Sequence, residues 1–473
     1  MIKSPGGWGL PGRGMQTKIV YPPPIRDVDA PTGTANINGR RGIIVLTDRV
    51  LLDIAYGVTL SLAACSCAGI VLSIIQTALS VHLFRKASSV SRPSKKTHPG
   101  SHTTTHDVPN GDVLVSILKP VSGLEDGLKE NLESFADLRG VRYELIVSIA
   151  DPADPAVPVV KRVLECFPEG RARLVIGREI RTANPKVERL IAAVAYARGD
   201  IFFISDSNVR VCPEDIAKTV REFDDPRVGC VSNPFIAEGA RSLGALVESL
   251  YLLIFVLPGN VLAAWFGVPC VVGKSMAITR RLCDALGGFE AFGQLLAEDQ
   301  SIAVATKKAG YKVVLSPVVV RNVIERRSVG QVIQRQVRWG KMRYSFSKFL
   351  YSAELLANPL PLIVLACVSS MIFLPRYLGM LMTAASLVLA VRLCQSLVLM
   401  YASGAKVSKL AAVLVPTQDF VQAAAQIAPY ISKEVNWRGF RTRLGPNSLI
   451  LAADPRTASR EYAPAILSST WQS

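Results

Sequence analysis

Apolar residues are concentrated in a few long runs rather than spread evenly along the chain. Residues 51–84 are nearly free of charge and long enough to cross a bilayer once. Two further apolar runs, 359–374 and 378–401, are separated by a short Pro-Arg-Tyr segment. The pattern therefore predicts one membrane helix near the N-terminus and a membrane hairpin in the C-terminal part.

Two weaker apolar segments are predicted to lie in the membrane interface. Residues 245–268 contain Pro-Gly-Asn at 258–260, which predicts a break that leaves two halves too short to span. A single crossing is the alternative, but it would place Asp206 and Asp299 on opposite sides of the membrane. Residues 410–430 carry several polar side chains and fit an amphipathic interfacial helix better than a third span.

Between the membrane segments, short β-rich runs alternate with helical patterns. The runs that predict buried strands are Val113–Lys119, Tyr143–Ile149, Arg173–Gly177 and Ile201–Ser205. Helical patterns between them include Ala156–Phe167 and Lys186–Arg198. This alternation predicts an α/β domain with a mainly parallel sheet, whose ligands bind beyond the carboxyl ends of the strands.

The same patterns divide the chain into six segments. They are a disordered tail (1–50), a membrane helix (51–84), a linker (85–111), the α/β domain (112–350, with the interfacial segment 245–268), a membrane hairpin with an interfacial helix (351–434) and a basic cytosolic tail (435–473). Basic residues directly after the first membrane helix place the α/β domain in the cytosol.

Composition and charge narrow the possible partners. The formal net charge of +17 suits either a nucleic-acid binder or a protein that meets anionic lipid and phosphorylated substrates. Basic clusters beside apolar spans favour the membrane, so no nucleic-acid partner is expected. All four histidines precede the α/β domain, which excludes Ser-His-Asp, Cys-His and His-ligated zinc chemistry there.

Three aspartates follow predicted strands, at the end of the sheet where ligands bind, and a fourth begins a helical segment. Asp151 and Asp154 follow the second predicted strand and can accept hydrogen bonds from a base or ribose. Asp206 follows the fourth strand and can bind a divalent cation together with a diphosphate. Asp299 opens a helical segment and can serve as a general base. Each aspartate alone is more typical of a helix cap, so the interpretation depends on the whole set.

A basic and aromatic box precedes the C-terminal membrane segments. Arg335 and Arg338 lie three residues apart on one face of a predicted helix and can clamp diphosphate oxygens. Trp339 adjoins them and can form the floor of an acceptor pocket. Such an arginine pair alone usually faces solvent or lipid headgroups. Together with the aspartates, the box favours sugar transfer from a nucleoside diphosphate.

These motifs resemble the ceramide glucosyltransferase family, among the GT-A glycosyltransferases with spaced aspartates and a Gln-x-x-Arg-Trp box. Arg335 occupies the Gln place of that box, as it does in this subfamily. The segments that carry the resemblance, over about residues 112–445, are Val115–Pro120, Asp154–Ala156, Asn184–Lys186, Ser205–Val211, Ala297–Asp299, the Arg335–Trp339 box and Trp437-Arg438 with Arg441 and Arg443.

The resemblance implies a GT-A (Rossmann-like) domain that transfers glucose, with inversion, from UDP-glucose to the primary hydroxyl group of ceramide. It implies an integral membrane protein that acts at the cytosolic face of a bacterial inner membrane, or of the Golgi or ER. The implied roles are Asp151 or Asp154 on the uridine side, Asp206 on Mg²⁺ or Mn²⁺, Asp299 as base, Lys186 in the donor site, Arg335 and Arg338 on the diphosphate and Trp339 on the acceptor.

Two departures from the family pattern keep alternatives open. Asn208 stands where a strict Asp-x-Asp pair has its second carboxylate, and Val256–Gly259 replaces the His-Pro of the animal enzymes. The alternatives are a hopanoid or another membrane lipid as acceptor, UDP-galactose or UDP-GlcNAc as donor, a processive polysaccharide synthase and a non-catalytic membrane scaffold. Lys274-Ser275-Met276 and the Arg335 box favour the ceramide type.

Overall fold

The computed structural model describes residues 38–90, 113–177, 182–437 and 440–451. The chain divides into two compact units, residues 1–51 and 52–473, and apart from the start of the first helix the elements belong to the second.

The strands are β1 (Leu114–Val121), β2 (Arg142–Ile149), β3 (Ala172–Ile176), β4 (Ile201–Ser205), β5 (Val209–Arg210), β6 (Val228–Ser232), β7 (Phe235–Glu238), β8 (Ser275–Thr279), β9 (Lys312–Leu315), β10 (Val320–Val323), β11 (Glu434–Trp437), β12 (Phe440–Leu444) and β13 (Ile450–Leu451). The helices are α1 (Asn38–Val90), α2 (Leu128–Glu133), α3 (Ala156–Leu164), α4 (Pro185–Val194), α5 (Asp215–Val220), α6 (Leu243–Tyr251), α7 (Leu257–Trp265), α8 (Arg280–Ala285), α9 (Glu298–Lys308), α10 (Val329–Phe346), α11 (Lys348–Ala353), α12 (Pro359–Phe373), α13 (Leu378–Ser403) and α14 (Val415–Ile431).

The central sheet brings the ends of distant segments to one edge. Its strand order is β3-β2-β1-β4-β8-β6-β9. The first four strands in this order are parallel, whereas β8 is antiparallel to both of its neighbours. The carboxyl ends of β1, β2 and β4 therefore share one edge, and the beginning of β8 lies at that same edge.

Each face of the sheet carries an apolar layer, because successive side chains of a strand point to opposite sides. Ile117 packs in one buried cluster with Phe203, while Leu118 packs in the other with Phe202. Every side chain of β4 is buried. A strand covered on both faces has a continuous apolar sequence, which is the pattern that predicts it.

The predicted α/β class with a GT-A (Rossmann-like) sheet is confirmed. All four predicted strands occur, with bounds shifted by two residues at most. The helical bounds are less accurate, because α3 ends at Leu164 and α4 at Val194, before the predicted ends. Local sequence locates the middle of a helix better than its last turn.

Three helical stretches of the described residues are long and apolar enough to cross a membrane: Arg49–Lys86, Leu243–Trp265 and Pro375–Ser403. In their most apolar windows, 22%, 67% and 17% of the residues are buried inside the protein, respectively. The first and third stretches therefore expose apolar surface that fits lipid, as the predicted membrane helices require. A fourth candidate consists of Lys348–Ala357 and Pro359–Phe373, which meet at a bend of 75°.

The break predicted at residues 258–260 is wrong. The helix continues from Leu243 to Trp265, with a π-helical turn over Leu252–Val256 that ends two residues before Pro258. Such a turn lets a helix pass a proline, whose ring otherwise clashes with the preceding turn. Strands β6 and β8, which flank this helix in sequence, are hydrogen-bonded neighbours. A single crossing between them is therefore disfavoured, and protein covers most of the helix.

The C-terminal helices contain a buried ion pair. Arg392 of α13 donates two hydrogen bonds, of 2.9 and 2.6 Å, to the carboxylate of Asp419 on α14. Arg392 lies within an apolar span, yet its side chain is buried inside the protein. The polar side of α14, which was predicted to suit a membrane interface, also packs inside the protein at Gln418, Gln422 and Gln426.

The predicted terminal and linker segments need three corrections. Helix α1 already begins at Asn38, inside the predicted tail, and reaches Val90, inside the predicted linker. Residues 434–451 include a three-stranded antiparallel sheet, β11-β12-β13, where a basic tail was predicted. The rest of the predicted tails and linker, at 1–37, 91–112 and 452–473, lies outside the described residues.

Candidate active site

The edge formed by β4 and β8 places a carboxylate beside a lysine. Asp206 directly follows β4, and Lys274 directly precedes the antiparallel β8, with Ser205 paired to Ser275. The Asp206 backbone N–H donates to the Lys274 carbonyl at 3.0 Å. Lys274 Nζ lies 3.3 Å from Asp206 Oδ2 and donates to Asn208 Oδ1 at 2.9 Å. The antiparallel pairing of β4 with β8 thus brings the ammonium group of Lys274 to Asp206, a contact that the spacing of the two residues in the sequence does not predict.

A second lysine reaches the same carboxylate from α4. Asn184 caps this helix, because its Oδ1 accepts from the Lys186 backbone N–H at 2.9 Å. Lys186 Nζ then lies 3.0 Å from Asp206 Oδ1 and 3.0 Å from Glu298 Oε1, and donates to the Gly273 carbonyl at 2.9 Å. Lys186 therefore bridges two of the elements that carry predicted site residues.

The charges of this cluster shift its protonation equilibria. Burial by itself raises the pKa of Asp206, but the ammonium groups of Lys186 and Lys274 overcome burial and hold it well below its usual range. Burial lowers the pKa of Lys186, yet Asp206 and Glu298 outweigh burial and raise it. Lys186 is charged and Asp206 ionised at neutral pH, so the predicted donor-site residues form an ion-paired centre.

Asp299 lies next to this centre, at the N-terminal end of α9. Its Oδ2 accepts a short hydrogen bond from the Gly273 backbone N–H, and its Oδ1 accepts from Gln300 N–H at 2.7 Å. Burial and the negative charge of Glu298 raise the pKa of Asp299 to about 6, although Lys186 opposes the rise. A carboxyl with this pKa is well matched to a general base near neutral pH.

The Arg335–Trp339 box approaches from α10. Arg335 donates a hydrogen bond of 2.6 Å to Glu248, a fully buried residue of α6. Burial lowers the pKa of Lys274, Asp206 opposes this, and the positive charge of Arg335 adds to the lowering. The positive charge of Arg335 therefore acts on the same centre. Trp339 lies partly buried against Tyr251, with ring centroids 6.2 Å apart, and Arg338 lies on the same helix.

Asp151 and Asp154 stand apart from the lysine cluster. Asp154 accepts hydrogen bonds from Gly123 N–H at 2.9 Å and from Ala156 N–H at 2.8 Å, so it ties the loop after β1 to α3. Asp151 is exposed and accepts from Ala153 N–H at 2.9 Å. Strand β1 lies between β2 and β4, which separates these aspartates from Asp206 by roughly 10 Å across the sheet. Asp151 is the freer of the two to meet a ligand.

Lys119 is a buried site residue to which the sequence assigned no role. Its Nζ donates to Ser205 Oγ at 3.2 Å and to the carbonyls of Asp206 and Val209 at 2.9 and 3.3 Å. Burial lowers its pKa to about 7. Lys119 thus fixes the backbone that presents Asp206. Its position within an apolar strand was the available signal, since a buried lysine needs partners.

The oxygens after β4 suit a hard cation in type. The carboxylate of Asp206 and the amide oxygen of Asn208 are ligands that Mg²⁺ or Mn²⁺ accepts, with substrate phosphates completing the shell. Lys274 contacts both residues, so a cation at Asp206 competes with this ammonium group. Within the described residues no three His, Cys, Asp or Glu side chains gather as a metal cluster. Asp206 and Asn208 therefore fit a cation held jointly with a diphosphate.

Residues 65–450 match the family model described as glycosyl transferase family 21. The match covers most of the chain and includes every residue of the site.

Curated relatives include ceramide glucosyltransferases. Ceramide glucosyltransferase 3 of Caenorhabditis elegans is 28% identical over 254 residues, which cover 52% of this chain and 54% of the relative. Ceramide glucosyltransferase 1 of the same organism is 29% identical over 275 residues, which cover 56% of each chain. The chain thus spans about half the length of the curated relatives it matches.

Two solved structures show remote similarity. A mannosyltransferase from Pyrobaculum calidifontis in complex with GDP-Man and Mn²⁺ has a TM-score of 0.42 at 19% identity, covering 78% of this chain and 98% of that chain. Glucosyl-3-phosphoglycerate synthase from Mycobacterium tuberculosis with Mn²⁺, UDP-glucose and phosphoglyceric acid has a TM-score of 0.32 at 18% identity, covering 48% and 78%. The fold class of this chain is therefore identified from its own strand order, β3-β2-β1-β4-β8-β6-β9.

Proposed function

Because the chain belongs to glycosyl transferase family 21, we propose that it transfers glucose from UDP-glucose to the primary hydroxyl group of ceramide at the cytosolic membrane face. The observation that carries the proposal is that a cluster of cationic side chains, able to bind a diphosphate, lies next to a carboxylate that can act as a base. Lys186 and Lys274 contact the carboxylate of Asp206, and the positive charge of Arg335 acts on Lys274. Asp299 lies beside Lys186 at Gly273 and has a raised pKa.

The positive side of the site suits the leaving group. When the bond between the sugar and the diphosphate breaks, the diphosphate gains negative charge, which preorganised cations stabilise. Lys274 and Arg335 are placed for this role, and Arg338 on the same helix face adds a third cation. Asp206 with Asn208 would hold Mg²⁺ or Mn²⁺, which would supply further neutralisation of the diphosphate.

Asp299 supplies the base. The ceramide hydroxyl oxygen would attack the anomeric carbon on the face opposite UDP and form the new glycosidic bond. The old carbon–oxygen bond breaks with its electron pair leaving on UDP, and the hydroxyl proton passes to Asp299. Attack from the opposite face inverts the anomeric configuration. Trp339 would line the acceptor side, and Asp151 the uridine side.

A reconstituted transfer assay tests the proposal. The full chain in vesicles containing both ceramide and a hopanoid would receive labelled UDP-glucose, UDP-galactose or UDP-GlcNAc, with Mg²⁺ or Mn²⁺. The expected product is labelled glucosylceramide, absent with Asp299→Asn. Label on a hopanoid but not on ceramide would overturn the acceptor, and preference for another nucleotide sugar would overturn the donor. If no donor labels any lipid, the result would favour the alternative of a non-catalytic membrane scaffold.

A further inference from the structure

A basic cleft opens beside the C-terminal end of α10, away from the lysine cluster around Asp206. It encloses about 300 Å³ between α10, the beginning of α11, the end of α14 and the β11–β12 sheet. The residues that line it are Lys341, Tyr344, Ser345, Phe346, Lys348, Pro429, Ser432, Lys433, Leu444, Gly445 and Pro446. Its polar lining is therefore cationic or neutral, and no acidic side chain is part of it.

Three lysines from three different elements converge on this cleft. Lys341 comes from α10 and donates to the backbone carbonyl of Glu434, which holds its side chain across the cleft. Lys348 comes from the first turn of α11, with its Nζ 5.9 Å from the ring centre of Tyr344. Lys433 follows α14. The nearby acid Glu354 is paired with Arg343 at 3.0 Å. Glu434, whose negative charge acts on Lys341, is not among the residues that line the cleft, so one carboxylate outside the lining stands near the three ammonium groups.

The rim of the cleft is apolar where it leaves the protein. Phe349, directly after the lining residue Lys348, is 81% exposed, and Ile431, directly before the lining residue Ser432, is 80% exposed. Leu350 is exposed too. The helical segment 348–357 meets α12 at a bend of 75°. An apolar helix that bends sharply onto a candidate span fits the membrane interface, with its large apolar side chains among the acyl chains.

We propose that this cleft binds the headgroup phosphate of an anionic glycerophospholipid, with Lys341, Lys348 and Lys433 as its cations. Phosphate oxygens pair with ammonium groups, and the apolar rim accommodates the acyl chains that leave the headgroup. A soluble phosphate has no acyl chains that could contact the exposed Phe349 and Ile431 side chains. Because Lys341 stands two residues after Trp339, the bound lipid lies against the same helix as the Arg335–Trp339 box.

Lipid retention measures this directly and needs no sugar donor. The full chain would be released from nanodiscs of mixed phosphatidylcholine and phosphatidylglycerol into a native mass spectrometer, and the retained lipids counted. Wild type is expected to keep phosphatidylglycerol preferentially. Lys341→Gln/Lys348→Gln/Lys433→Gln is expected to lower that retention about tenfold or more. The Arg triple variant at these positions keeps the charges and should retain the lipid, which separates binding from folding.

A matched control removes the same charge elsewhere. Lys129, Lys161 and Lys312 are exposed lysines of the α/β domain, and their Gln triple variant should retain phosphatidylglycerol as wild type does. Equal loss in both Gln triple variants would overturn the proposal. Inorganic phosphate offered to the protein in detergent distinguishes the other source. Tight phosphate binding without preference for phosphatidylglycerol would show a soluble-anion site and also overturn it.

Discussion

Arg335 and Glu248 form an ion pair of 2.6 Å that joins α10 to the buried α6. Glu248 is almost fully buried, and Arg335 retains partial exposure. A carboxylate in that position fixes the guanidinium in one orientation, so Glu248 acts as a positioning residue for the box.

Glu248→Gln is expected to lower turnover, because Arg335 then loses its fixed orientation. Arg335→Gln is expected to lower the free energy of unfolding, because it leaves the buried carboxylate of Glu248 without its counter-charge. In the double variant, Gln faces Gln, and the free energy of unfolding should recover in part. A double-mutant cycle on thermal unfolding should give a coupling of about 1–3 kcal/mol. Additive effects would show that the pair is not coupled.

Turnover is expected to fall as the pH drops through about 6. Burial and Glu298 raise the pKa of Asp299 to about 6, so below that value the carboxyl is protonated and cannot accept the hydroxyl proton. The pH profile of kcat/KM, which reports the ionisation of the enzyme without substrate, should show this acidic limb. Asp299→Asn should bind UDP nearly as wild type does and lose turnover at every pH. Equal loss of binding and turnover would argue against a role as base.

Gly273 allows Asp299 and Lys186 to approach the same stretch of backbone. A Cβ there would lie 2.9 Å from both Lys186 Nζ and Asp299 Oδ2. Gly273→Ala is therefore expected to displace the base and to reduce kcat on the order of 100-fold. Gly259, where an added Cβ would meet no atom within 4 Å, provides the control, since Gly259→Ala should leave kcat unchanged. Normal activity of the Gly273 variant would contradict the described geometry.

Removal of the ammonium group of Lys274 should strengthen the binding of a divalent cation at Asp206 and Asn208. Lys274 Nζ contacts both Asp206 and Asn208 and so opposes a second positive charge there. Lys274→Gln is expected to tighten Mn²⁺ binding in the presence of UDP by roughly tenfold, as measured by the EPR signal of free Mn²⁺. Lys312→Gln, which removes an exposed lysine, should not change it. Unchanged affinity in both variants would speak against Asp206 as the ligand.

The buried Arg392–Asp419 pair should hold α13 against α14. Asp419→Asn leaves a guanidinium without its counter-charge and should destabilise the protein by about 3–5 kcal/mol. Arg392→Met combined with Asp419→Leu removes both charges and should cost less. Thermal unfolding in detergent compares them, with the exposed Arg376→Met as a control near wild type. A double variant as unstable as Asp419→Asn would show that packing dominates.

The α/β sheet could be predicted because its evidence is local. Buried strands such as Ile201–Ser205 need continuous apolar residues, and the helices between them need a periodic apolar face. The apolar helical stretches Arg49–Lys86 and Pro375–Ser403, which are long enough to cross a membrane, were predictable for the same reason, since length and hydropathy are properties of contiguous sequence. Asp206, at the end of such a strand, follows from the strand itself.

The surroundings of Asp206 were decided by the tertiary structure. Lys274 reaches it only because β8 runs antiparallel to β4, and no local pattern states which strand pairs with which. Glu248 likewise meets Arg335 across 87 residues of chain. The proline at 258 predicted a break, but a π-helical turn kept the helix continuous. The sequence by itself thus determined the strands and helices and the positions of the aspartates at their ends. Long-range pairing decided which charged side chains surround those aspartates, because ion pairs depend on distance in space and not on separation along the chain.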